Sequence, residues 1–148
     1  MSPTRAGRLA LIIASLVLGT VACAPAGGVD VTLQEWAVVT SASSAPAGAV
    51  SFDVTNDGPN DVHEFVVVRT DLAPDELPTD ESGAVLEDGE GMQVVDEIED
   101  LAVGATETLA LDLEAGNYVL ICNIAEEDAG ETEAHYRMGM RTSFTVGD

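Results

Sequence analysis

Two stretches toward the C-terminal end decide the fold. The first is Gly116-Asn117-Tyr118-Val119-Leu120-Ile121-Cys122-Asn123; the second is His135-Tyr136-Arg137-Met138-Gly139-Met140, running on into Arg141-Thr142-Ser143-Phe144-Thr145-Val146. In the first, Tyr118, Leu120 and Cys122 alternate with Val119 and Ile121, the period-two pattern of a strand. In the second, Met140 to Val146 reads as a last strand with Thr142, Phe144 and Val146 on one face. Upstream, Leu109, Leu111 and Leu113 alternate with Thr108, Ala110 and Asp112, and Glu114-Ala115-Gly116-Asn117 supplies the turn between.

The same alternation recurs toward the N-terminus. Val29, Val31 and Leu33 alternate with Asp30, Thr32 and Gln34, and Trp36 and Val38 extend the pattern on the other face. Ser41 to Gly48 is a small-residue turn region. Val50, Phe52 and Val54 alternate with Ser51, Asp53 and Thr55, and Asn56-Asp57-Gly58-Pro59-Asn60-Asp61 is dense in turn formers. His63, Phe65 and Val67 then alternate with Glu64, Val66 and Val68, and this strand turns apolar on both faces, as an inner strand does. Residues 71–100 hold twelve acids and no basic residue. They read as a long connection with one helical turn and a short strand near Met92–Ile98. The expected architecture is all-β, a Greek-key β-sandwich of seven to eight strands.

Length and charge bound the rest. The chain has 148 residues, room for one domain. Five arginines and no lysine stand against 27 acids, a net charge of −22. That excludes a nucleic-acid binder working by phosphate neutralisation and a polybasic membrane-surface protein. With 46% hydrophobic residues the chain still has the material for a core, unlike a disordered acidic tail.

Residues 1–22 read as an export signal. Arg5 and Arg8 precede an apolar run from Leu9 to Ala22, shorter than the about 20 residues a membrane-spanning helix needs. Thr20-Val21-Ala22-Cys23 resembles a bacterial lipobox, which makes Cys23 the expected lipidation site; cleavage after Ala24-Pro25-Ala26 is the other reading. Residues 23–28 read as the lipidated cysteine and a flexible tether, and residues 29–148 as the folded domain. The expected location is the outer face of the cell membrane, held by the lipid, or the periplasm or exterior without it. Cys122 is then a lone thiol in an oxidising compartment unless it pairs with Cys23, and a cysteine in a leader is a poor partner for one in a strand.

The chemistry-bearing residues are few. The chain has two histidines, His63 and His135, and Met138 and Met140 lie just beyond the second. Singly each has a plain structural reading: a histidine in a strand is usually hydrogen-bonded core, and a lone cysteine a small hydrophobe. Together, two imidazoles, a thiolate and a thioether are the donor set of a mononuclear type 1 copper site, a His₂Cys plane with a weak axial methionine. Zinc sites with paired cysteines and multicopper enzymes with more histidines fit worse. Cys122 ends a strand, His135 lies in the loop after it and Met140 opens the last strand, so three donors come from one end. His63 is expected from a distant strand, tying the second sheet to the metal.

These residues carry a resemblance. Gly48-Ala49-Val50-Ser51-Phe52, Asn56-Asp57-Gly58 leading to His63-Glu64-Phe65, and the two stretches quoted first resemble the small cupredoxins of the plastocyanin, pseudoazurin and sulfocyanin-like group. The resemblance covers most of residues 29–148. It implies an eight-stranded sandwich, one copper ion held by His63, Cys122, His135 and Met140 (with Met138 the rival axial donor), and single-electron transfer rather than enzymatic turnover. The implied partner is a redox protein, a cytochrome or a membrane oxidase or reductase, with membrane contact through the lipid. The ring edge of His135 is expected at the protein surface as the electron's exit. A copper-delivery lipoprotein and a metal-free interaction module are the alternatives.

Two features depart from the family. Twelve residues separate Cys122 from His135, where small cupredoxins have a few, and the extra segment carries Glu126, Glu127, Asp128, Glu131 and Glu133. Such an insertion either bulges into solvent or misplaces His135. Glu64 also follows the first histidine where many relatives have asparagine; Asn123, beside the cysteine, is expected to supply the loop-tethering hydrogen bond.

Overall fold

The computed structural model describes residues 27–128 and 130–148. The export leader and Cys23 lie outside the described residues. The elements are β1 (Gly27–Gln34), β2 (Ala37–Thr40), β3 (Ser44–Pro46), β4 (Gly48–Asn56), β5 (His63–Thr70), β6 (Met92–Leu101), β7 (Thr106–Leu113), β8 (Gly116–Ile121), β9 (Ala125–Asp128), β10 (Glu131–Ala134), a single helical turn α1 (His135–Met138) and β11 (Arg141–Gly147). One sheet has the order β2-β1-β4-β7 and the other β3-β11-β8-β5-β6; β9 and β10 form a separate hairpin. The fold is a β-sandwich, as the alternation predicts. Extra short strands arise where turn regions pair: Ser44–Pro46 runs parallel to the end of β11. Gly27 and Gly28, read as tether, already belong to β1 and pair with Val50 and Ser51.

Alternation becomes packing directly. Val29, Val31 and Leu33 of β1 and Val50, Phe52 and Val54 of β4 are buried against Phe65 and Val67 of β5, Leu120 of β8 and Phe144 of β11. Phe52 anchors this core, with its ring 5.5 Å from Phe65 and 5.4 Å edge-on from Phe144.

The both-sided apolar character of β5 has a physical cause. Its other face, Val66 and Val68, packs with Val119 and Ile121 of β8 under Leu77, Val85 and Tyr136. The acidic connection 71–91 is therefore a wall over the outer face of the five-stranded sheet, fixed by two buried apolar residues. Asn123 clamps it, accepting from the Val85 N–H at 2.6 Å and donating to the Val85 carbonyl at 3.1 Å. The Tyr136 hydroxyl accepts from the Leu77 N–H and donates to the Pro74 carbonyl.

At the opposite edge of the site, Asn56 is fully buried and fully satisfied. Its Nδ2 donates to the carbonyls of Asp61 and Leu101, and its Oδ1 accepts from the Gly58 N–H. That fixes the turn delivering His63. Between the pairs His63↔Leu101 and Phe65↔Ile98 the register of β6 slips, and Asp100 takes a left-handed φ of 51° there. A bulge beside a functional side chain re-aims it, and aspartate tolerates that backbone region.

Candidate metal centre

His63 opens β5, Cys122 follows β8 directly, His135 opens α1 and Met140 precedes β11. All four are fully buried. β5, β8 and β11 are neighbours in one sheet, so His63 does not come from the second sheet as its distance in sequence suggests. What bridges the two sheets is Trp36, in the β1–β2 turn, whose ring meets His135 edge-on at 4.9 Å.

The donor atoms converge. His135 Nδ1 lies 3.3 Å from Cys122 Sγ and 3.3 Å from His63 Nδ1, and His63 Nδ1 is 3.8 Å from the sulfur. Backbone bonds hold the frame: the His135 N–H donates to the Ile124 carbonyl, the Met140 N–H to the His135 carbonyl, and the Cys122 N–H to the Met140 carbonyl. Gly139 is required between them. Its φ is 128°, and a Cβ there would lie 2.9 Å from the Trp36 carbonyl oxygen. Met138 is 40% exposed, whereas Met140 is buried in the core that holds Cys122.

The electrostatics of the pocket suit a soft cation. Burial pushes the Cys122 thiol up to about 11, opposed by the Glu64 N–H that donates to the sulfur at 3.3 Å. Burial, reinforced by His135, pushes His63 below its ordinary value. The pocket thus holds two imidazoles and a thiol, with both Nδ1 atoms and the sulfur turned inward and no carboxylate among the three; a bound cation is what makes the thiolate favourable in so dry a place. A copper ion fits this donor set, and His63, Cys122 and His135 would hold it, with Met140 beside them.

The twelve-residue separation of Cys122 and His135 does not misplace the histidine. Ala125 to Ala134 fold on themselves as the β9–β10 hairpin, with Ala125 opposite Ala134, so the chain leaves and returns at one point. The hairpin lies over the site: Glu126 Oε1 is 3.6 Å from His135 Nε2. The expected exposed ring edge is therefore absent, since His135 is enclosed by Trp36 and Glu126. The sequence marks Glu126 as part of the acidic segment between two donors, but not its contact with His135, and it does not place Trp36 at the site. For Trp36, the one signal was its being the single tryptophan in the chain. Its neighbour Glu35 accepts from the N–H groups of Asn60 and Asp61, tying the β1–β2 turn to the turn before His63.

Fold and site together define a cupredoxin-type β-sandwich. Among solved structures the chain is similar to auracyanin from the photosynthetic bacterium Roseiflexus castenholzii in its dithionite-reduced form, at 20% identity and a TM-score of 0.58, over 83% of this chain and 98% of that one. It is also similar to auracyanin B, at 20% identity and a TM-score of 0.54, over 86% and 94% of the two chains. No family model and no curated protein matches the sequence.

Proposed function

We propose that the chain is a type 1 copper protein that carries single electrons between redox partners outside the cytoplasm. The observation that carries this reading is the convergence of His63 Nδ1, His135 Nδ1 and Cys122 Sγ in a fully buried pocket. When bound, copper supplies the one-electron couple. The protein's own residues do the rest. Sheet pairing of β5 with β8, the Asn56-bonded turn and the bulge in β6 fix His63, so it need not move between two redox states. The Glu64 N–H stabilises negative charge on the sulfur. Trp36 and the hairpin keep water from the imidazoles. The burial of Met140 and the exposure of Met138 support Met140 as the axial donor. The likeness to auracyanins, one of them studied in a reduced form, supports an electron carrier over a delivery protein. The leader and Cys23 support export and lipid anchoring, and a membrane or soluble redox protein is the partner.

The test is spectroscopic. Copper(II) added to the chain from residue 27 onward gives an intense visible charge-transfer band and a narrow copper hyperfine splitting in paramagnetic resonance. Cys122→Ser loses the band, because a hydroxyl is a hard donor; a coloured Cys122→Ser protein sinks the assignment. Labelling with a radioactive fatty acid, absent in Cys23→Ser, checks the anchor.

A further inference from the structure

An imidazole can present the Nδ1 lone pair to a metal only when its proton sits on Nε2, and that proton wants an acceptor. His135 Nε2 is buried and has no hydrogen-bond partner among the described residues. It points at carboxylates: Glu126 Oε1 at 3.6 Å, and Asp61, with the three donor atoms all within 4.8 Å of one another. From this we infer that Glu126 is a positioning residue for His135, accepting the Nε2–H through its carboxylate, and that the β9–β10 hairpin exists to bring it there. The consequence for copper rests on the function proposed above; the contact itself does not.

Three observations favour Glu126 over Asp61. It alone lies within ion-pair distance of Nε2. Its side chain is half exposed and takes part in no other hydrogen bond among the described residues, so it is free to turn and close the bond. Its cross-strand neighbour is Glu133, a like charge on the same hairpin face, which makes the imidazole N–H the better neighbour for its carboxylate. The Trp36 ring packs edge-on against the same imidazole at 4.9 Å. A carboxylate on the outer nitrogen makes the imidazole a stronger donor and adds negative charge near the metal. Both effects favour the oxidised state, so Glu126 lowers the reduction potential.

The experiment uses the chain from residue 27 with ¹⁵N-labelled histidine, first without metal and then loaded with copper. Without metal, His135 is the Nε2–H tautomer in the parent protein. Its proton exchanges with solvent about tenfold faster in Glu126→Ala, the factor one hydrogen bond of ~1.4 kcal/mol gives. Glu126→Gln keeps the slow exchange, because its amide oxygen still accepts. With copper, the potential rises in both variants and most in Glu126→Ala. Glu127→Ala, which removes the same charge from the other face of the strand, shifts it less. The inference is overturned if His135 is the Nδ1–H tautomer, if Glu126→Ala exchanges as slowly as the parent, if Asp61→Asn rather than Glu126→Ala releases the proton, or if Glu127→Ala matches Glu126→Ala. Failure to bind copper overturns the proposed function alone, since tautomer and exchange are read without metal.

Discussion

The segments 71–91 and 125–134 look alike in sequence, both acid-rich and without a basic residue, yet the fold uses them differently. The first is a wall. It buries Leu77 and Val85 against the outer face of β5 and β8, and Asn123 and Tyr136 bond its backbone to the metal loop. The second is a cover. It is bonded mainly to itself, strand to strand and Thr132 to Glu127, and among its described residues the carboxylate that approaches the site is that of Glu126. Net charge therefore says nothing about attachment; two apolar residues and two polar partners from another segment make the difference.

The largest effects come from breaking the wall. Leu77→Ala removes a buried side chain and is expected to cost about 2–5 kcal/mol in denaturant unfolding. Tyr136→Phe strips the Leu77 N–H of its acceptor and the Pro74 carbonyl of its donor, at about 1–3 kcal/mol. Because Tyr136 follows His135, that variant is also expected to broaden the copper resonance. If both variants unfold like the parent, the wall is no more attached than the cover.

Removing the cover is expected to do much less to stability and more to electron exchange. Ala125 and Ala134 face each other in register, so two glycines can join them in a tight hairpin turn, deleting residues 126–133. The unfolding free energy stays within about 1 kcal/mol of the parent, since an isolated two-stranded hairpin contributes little. The visible band persists, and exchange with a small neutral redox reagent in stopped flow becomes faster as the His135 edge opens. An unchanged rate would show that the hairpin does not cover the electron's route.

This contrast marks where sequence reading stops. The strands were legible because alternation is a local property, and Tyr118-to-Cys122 announces itself. The donor set was legible because so few histidines and cysteines are present. The wall was not, because Leu77 and Val85 are isolated apolar residues in an acidic run, and their partners Asn123 and Tyr136 lie some forty to sixty positions away. The hairpin was not, because Ala-Glu-Glu-Asp and Glu-Thr-Glu-Ala carry no apolar face to alternate. The sheet assignment of His63 failed for a related reason: adjacency of β5 and β8 is fixed by long-range pairing that no spacing reveals.

A half-buried carboxyl on β5 that feels a charge of the wall gives the smallest effect. Glu64, on β5, is pushed up to about 7 by burial first and then by Glu97, Glu87 and Glu99, against the pull of a backbone bond from Asn123. Glu87 lies in the 71–91 segment, and Glu97 is likewise raised, chiefly by burial. A carboxyl raised in the folded state binds more protons than in the unfolded chain between its two values, so stability is highest below about 4.5, falls as pH rises through about 7 and is flat above. Partial exposure keeps the effect modest. Thermal unfolding of chelator-treated protein from pH 4.5 to 8 therefore shows a declining midpoint, and Glu64→Gln flattens the decline without shifting its low-pH end. The glycine-joined protein without its hairpin keeps the parent's slope, whereas Leu77→Ala, which loosens the segment that holds Glu87, loses part of it. A slope that follows the hairpin instead would place the buried charge under the cover and reverse the comparison.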